Sequence, residues 1–99
     1  MSSSWTFFTN HAHALFSLAT QPDLRLRDLA VRIGITERAA QRIVAELAAE
    51  GFLVIQRSGR RNRYKVREAL ALRHPIEAHR SVGQLLTWLT DAAPRRSKP

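Results

Sequence analysis

Between Gly34 and Gly51 the chain reads GITERAAQRIVAELAAEG, a stretch with a helix start, a helix stop and two faces of different character. Thr36 can accept a hydrogen bond from the first unpaired backbone N–H groups, Glu37 stands where the helix dipole favours an acid, and Gly51 can take the left-handed backbone that ends a helix. The pattern predicts a helix over 36–50. Ala40, Ile43, Val44 and Leu47 fall at i, i+3, i+4 and i+7, which stacks them on one stripe facing a core. Arg38, Gln41, Arg42 and Ala45 take the opposite stripe, and the acids Glu46 and Glu50 stand at the far end. Arginine reads guanine edges and glutamine can read adenine, so this layout suits a helix whose N-terminal half enters a DNA major groove. A plain solvated helix would show the same apolar stripe, usually with mixed charges opposite it.

The residues on either side extend that reading. Upstream, Leu26, Leu29, Ala30 and Ile33 again have helical spacing, and Gly34-Ile35-Thr36 leaves room only for a tight turn before the next helix. Helix, short glycine-bearing turn, helix is the helix-turn-helix unit, with Ala30 small enough for close approach. Leu24-Arg25-Leu26 alternates, as a very short strand or the run-in to that helix would. Downstream, Phe52 to Arg57 is rich in strand formers and Ser58-Gly59 breaks the run. Asn62 to Val66 alternates, with Tyr64 and Val66 on one face and Arg63 and Lys65 on the other. The expectation is a hairpin with Arg60 and Arg61 at its tip. No acid occurs from Gly51 through Val66, where Arg57, Arg60, Arg61, Arg63 and Lys65 are concentrated. Such a run is often only a solvated face. Directly after a groove-entering helix it is also where a wing would grip phosphates and reach the minor groove.

Charge supports a polyanionic partner. Sixteen Lys and Arg face eight Asp and Glu, for a net charge of +8. Only Lys65 and Lys98 are lysines, so the basic set is almost wholly arginine, whose planar fork suits bidentate contact with phosphate or guanine. The absence of cysteine excludes a disulfide framework and a thiolate zinc site. Apolar runs are short and the first residues carry no basic stretch followed by an apolar one, so neither a membrane span nor a secretory signal is expected, and the default setting is cytoplasmic.

The ordered series LRDLAVRIG, ITERAAQRIVAELAAEGF and LVIQRSGRRNRYKV resembles the winged helix-turn-helix of small prokaryotic transcriptional regulators related to the MarR and ArsR groups. The resemblance covers roughly residues 9–67, and WTFFTNHA and RHPIEAH also look like a recurring small subfamily of such regulators. It implies a dimer on operator DNA, with helix 36–50 in the major groove and hairpin 57–65 as the wing. The ArsR group senses metals mostly through cysteines; lacking them, this chain cannot use a thiol-based sensor.

Around this unit, a first helix is expected from Thr9 or Asn10 to about Ala19, with Phe8, Ala12, Leu15, Phe16 and Ala19 on one face and Gln21-Pro22-Asp23 as its stop. A last helix is expected from Ile76 to about Asp91, with Pro75 at its start. Ile76, His79, Val82, Leu86 and Leu89 would stack on one side, and Leu85 and Trp88 would widen the strip. So long a strip fits a two-fold interface, to which Trp5 and Phe7 could add; packing back on the first helix is the alternative. His11 and His13 lie two apart, and His74 and His79 lie five apart across a proline, so neither pair has metal-ligand spacing. Packing or capping suits them better, although His74 and His79 could meet across a dimer. No nucleophile with a base, phosphate-cradling glycine loop or carboxylate pair is recognisable, so no enzyme activity, metal or cofactor is expected.

The expected architecture is mainly α with a small β-hairpin (α+β): a winged helix-turn-helix with an additional C-terminal helix. Its parts are an arm at 1–8, the DNA-binding unit at 9–67, a linker and dimerisation helix at 68–91, and a disordered basic tail at 92–99. The candidate DNA-binding residues are Thr36, Arg38, Gln41, Arg42, Arg57, Arg60, Arg61, Asn62, Arg63 and Lys65. The candidate dimer contacts are Trp5, Phe7, Ile76, His79, Val82, Leu85, Leu86 and Leu89. Double-stranded DNA and a second copy are the expected partners, with no membrane; no small-molecule effector can be named. The alternative is a winged-helix module that binds RNA or an acidic protein.

Overall fold

Residues 5–91 are described by a computed structural model; the expected tail at 92–99 and residues 1–4 of the expected arm lie outside them. Thr9 opens helix α1 (Asn10–Thr20), its side chain accepting from the Ala12 N–H at 3.2 Å, and Gln21 ends it. Helix α2 (Leu26–Ile33) stops at Gly34, whose φ of 88° is left-handed; the N–H groups of Gly34 and Ile35 both donate to the Ala30 carbonyl. The segment 24–25 is the run-in to this helix, so the alternating residues there form no strand. Helix α3 (Glu37–Ala49) opens on Thr36, which accepts from the Ala39 N–H at 3.0 Å. It closes when Gly51, at φ 86°, donates to Ala48 while Phe52 donates to Leu47, satisfying two carbonyls the helix end would leave unpaired.

That turn delivers the chain into strand β1 (Leu53–Ser58), which pairs antiparallel with β2 (Arg61–Val66) from Leu53↔Val66 to Ser58↔Arg61. Two residues close the hairpin, with Gly59 at φ 65° in the first position and no positive φ at Arg60, the sign pattern of a type II′ turn. Leu53, Tyr64 and Val66 face the core. These elements form the expected α+β winged helix.

The core centres on α1, which touches α2, α3, β2 and the last helix. Its burial is therefore set from several sides: Ala14, Leu15, Ser17 and Leu18 are buried, whereas Phe8, Ala12, Phe16 and Ala19 of the expected face are half-buried. From α3, Ala40, Ile43, Val44 and Leu47 enter the same core.

The C-terminal region differs from its expectation. Helix α4 spans Val82–Asp91, six residues later than the start predicted at Ile76. A closed loop occupies the intervening chain, tied at its base by an Ala71↔Ser81 bridge and within by Glu77 N–H to His74 O and Arg80 N–H to Glu77 O. Ser81 is the true helix start: its Oγ accepts from the Gln84 N–H at 3.1 Å and the Gln84 side chain accepts from the Ser81 N–H at 2.9 Å. This reciprocal capping box is a stronger start signal than a proline. Within the first turn, Gly83 donates to the Glu68 carbonyl, and a Cβ on it would stand 2.9 Å from the Glu68 Cβ. Only glycine allows that approach. Among the described residues, no helix is long and apolar enough to cross a membrane.

Candidate nucleic-acid interface

Helix α3 presents its polar stripe outward because the opposite stripe is committed to the core. Arg38, Gln41 and Arg42 are all exposed, 180° from residues that are at most 6% exposed. Thr36 sits at the foot of the stripe, with its oxygen engaged in the cap. Arg42 approaches Glu46 one turn on, at 3.5 Å, while no side-chain partner exists for Arg38 or Gln41 among the described residues.

The hairpin divides the remaining candidates by register. Arg57 pairs with Asn62 on the face that carries Ile55 and Tyr64; Arg61, Arg63 and Lys65 lie on the other face. Arg57 folds over the turn, its Nε donating to the Gly59 carbonyl at 3.3 Å, and Asn62 is half-buried. Arg60 is at the tip, exposed. Arg61 and Arg63 are not loose. Arg61 Nη2 donates to the Asp23 backbone oxygen at 2.6 Å, and Arg63 Nη1 donates to the Asp23 carboxylate at 2.7 Å. The Tyr64 N–H also donates to the Pro22 carbonyl, so residues 22–23 run beside β2 and hold the wing to the end of α1. Arg25 and Arg27 follow on the same stretch, exposed. Asp23 carries no sequence signal of its contacts, since it reads locally as a turn residue.

Two acids at the far end of α3 and its cap, Glu46 and Glu50, also reach toward α1 and the 70–80 loop. Glu46 Oε1 lies 2.8 Å from His11 Nε2, and Glu50 lies 3.8 Å from Arg73. The hydrogen bond from His11 holds the Glu46 carboxyl below the usual carboxylate range against an opposing desolvation, with the charge of Arg42 adding to the lowering. Of the other histidines, His13 Nδ1 is 3.3 Å from Asn10 Oδ1 and His74 Nδ1 accepts from the Ile76 N–H. Among the described residues no cluster of three or more His, Cys, Asp or Glu could hold a metal.

The expected dimer contacts separate into two sets. Val82 and Leu86 are 2% and 6% exposed within this one chain, because the first turns of α4 pack on α1. They are core residues here, which corrects their placement on an outward strip. Ile76 and His79 belong to the loop and not to α4, so no continuous strip from 76 to 89 exists. Leu85 and Leu89 are half-buried; Trp5, Phe7, Ile76 and Trp88 are exposed, and the Trp5 and Phe7 rings meet edge to face at 5.0 Å. Between the arm, α1, the end of α3 and α4 lies an open cavity of about 700 Å³, lined by residues such as Phe8, Leu15, Phe52, Leu72 and Leu85.

Comparisons with known proteins place this geometry. A family model described as the MarR family matches residues 9–63. No curated protein sequence matches the chain. Among solved structures, the PcaV transcriptional regulator from Streptomyces coelicolor, in complex with its natural ligand, is similar at 22% identity and TM-score 0.54, covering 92% of this chain and 62% of that one. The zinc-dependent MarR family regulator AdcR in its Zn(II)-bound state is similar at 22% identity and TM-score 0.48, covering 67% of this chain and 47% of that one. The chain thus spans about half to three-fifths of the length of these two structures.

Proposed function

The chain belongs to the MarR family of DNA-binding transcriptional regulators, which are not enzymes, and from that premise we propose that it reads operator DNA with α3 in the major groove and the β1–β2 hairpin on the backbone and minor groove. One observation carries the reading: Arg38, Gln41 and Arg42 form an outward stripe on a helix whose other side is locked into the core. In this arrangement those three side chains meet base edges. Thr36, Arg57, Arg60, Arg61, Asn62, Arg63 and Lys65 contact phosphate or enter the minor groove. Residues 9–67 form the DNA-binding unit. Exposed Trp5, Phe7, Ile76 and Trp88, with half-buried Leu85 and Leu89, give the surface for a second copy. A regulator of this kind acts in the cytoplasm, and the cavity between α1 and α4 is where an effector would enter.

The test is selection of bound duplexes from a random pool, followed by titration of the winners across salt. The expected result is paired half-sites about 34 Å apart or a small multiple. Binding should fall about 10³- to 10⁵-fold between 50 and 200 mM salt if six to ten phosphates are contacted. A salt slope near zero, or tighter binding to RNA hairpins than to any selected duplex, overturns the reading.

A further inference from the structure

Arg42 differs from its neighbours on the outward stripe in having a carboxylate beside it, and that carboxylate is itself held. Glu46 uses its two oxygens on two different elements: Oε1 is 2.8 Å from His11 Nε2 on α1, and Oε2 is 3.5 Å from Arg42 Nη1 on α3. Thirty-five residues separate His11 from Glu46, so the anchor comes from a second helix packed against α3 and not from the local sequence. An i,i+4 contact between two exposed side chains is ordinarily weak and easily lost. The second contact, from His11, narrows the carboxylate's freedom from outside the helix, so less remains to be ordered when Arg42 joins it.

We propose that Glu46 is a positioning residue for Arg42, anchored by His11, and that this bridge sharpens the base preference that Arg42 supplies. The proposal rests on the DNA reading above. A guanidinium that grips a guanine with both prongs must surrender rotamer freedom on binding, and one already steered by a fixed carboxylate has surrendered part of it beforehand. Arg38 and Gln41 have no such partner among the described residues and stay adaptable. The bridge also has a cost. A negative charge close to the duplex repels every phosphate alike, whatever the sequence.

These two effects have opposite signs, which makes them separable. The experiment measures Kd of the full chain for the selected duplex, its single-base variants and a random duplex, with thermal melts to verify folding. Arg42→Ala locates the base pair that depends on this arginine. Glu46→Ala is expected to bind the random duplex more tightly while its preference at that one base pair falls about three- to tenfold, the range that ordering one long side chain is worth. Glu46→Asp keeps the charge but shortens the reach; it should lose the same preference without the general gain. His11→Ala should lose preference at the same base pair and no other. If Glu46→Ala strengthens all duplexes equally and leaves the preference intact, the positioning role is overturned while DNA binding stands. If Arg42→Ala changes no preference, Arg42 does not read a base and the proposal falls with it. If no duplex is selected at all, the failure belongs to the DNA reading itself.

Discussion

Helix α3 and the β1–β2 hairpin both turn arginines outward, but they restrain them differently. The helix carries its own counter-charge, Glu46, one turn from Arg42. The hairpin contains no acid and takes Asp23 from the turn after α1, 40 residues earlier in the chain than Arg63. The helix is also deeply rooted, with four of its side chains in the core, whereas in the hairpin only Leu53, Tyr64 and Val66 are buried. A rooted helix can hold three side chains in a fixed pattern, as base reading requires. A shallowly rooted hairpin with borrowed restraint suits phosphate contact, where charge matters more than angle.

The strongest way to break this contrast is to truncate one apolar side chain in each element. Leu47→Ala should cost about 2–5 kcal/mol in urea unfolding, since it leaves a cavity in the shared core. Ile55→Ala in β1, at a residue 42% exposed, should cost under half as much. Equal losses would mean the hairpin is as firmly rooted as the helix.

Binding gives the next test. Arg42→Ala should lose about 1–3 kcal/mol of discrimination at one base pair, whereas Arg60→Ala at the tip should weaken all duplexes alike and reduce the salt slope by about 1. Competition measurements over single-base variants distinguish the two patterns.

A smaller effect is expected from the borrowed restraint. Asp23→Asn releases Arg63 from an exposed ion pair, so duplex affinity should rise a few-fold and the salt slope should steepen by up to about 0.9. Stability should change by less than about 1 kcal/mol. A loss of affinity would mean instead that Asp23 aims the wing.

Smallest is the acid sensitivity of the helix's own restraint. The Glu46 carboxyl is held below its ordinary value of 4.5, so the stability it contributes is whole above that value and is lost as pH falls through its lower folded-state value. The difference in Tm between the parent and Glu46→Gln should shrink as pH falls below about 4. A difference that grows on acidification would contradict the direction of the shift.

Much of the helix-turn-helix was legible because its signals are local. Thr36, Gly34 and Gly51 mark boundaries through backbone groups within four residues of themselves, and the spacing of Ala40, Ile43, Val44 and Leu47 names the buried stripe directly. Tyr64 and Val66 were legible for the same reason, by alternation. The start of α4 is also written locally, as Ser81 and Gln84, but Pro75 offers a competing start signal that the fold does not use. The inward placement of Val82 and Leu86 followed from that shift together with the packing of α4 on α1.

By itself, then, the sequence determined which residues form helices and strands and which side of α3 faces outward, because caps and periodicity act over a few residues. Tertiary structure alone decided which acid restrains which arginine. Asp23 meets Arg63 and His11 meets Glu46 only after α1 has packed against α3 and β2. Contacts between side chains 35 and 40 residues apart leave no period in a sequence, since they depend on where whole elements come to rest.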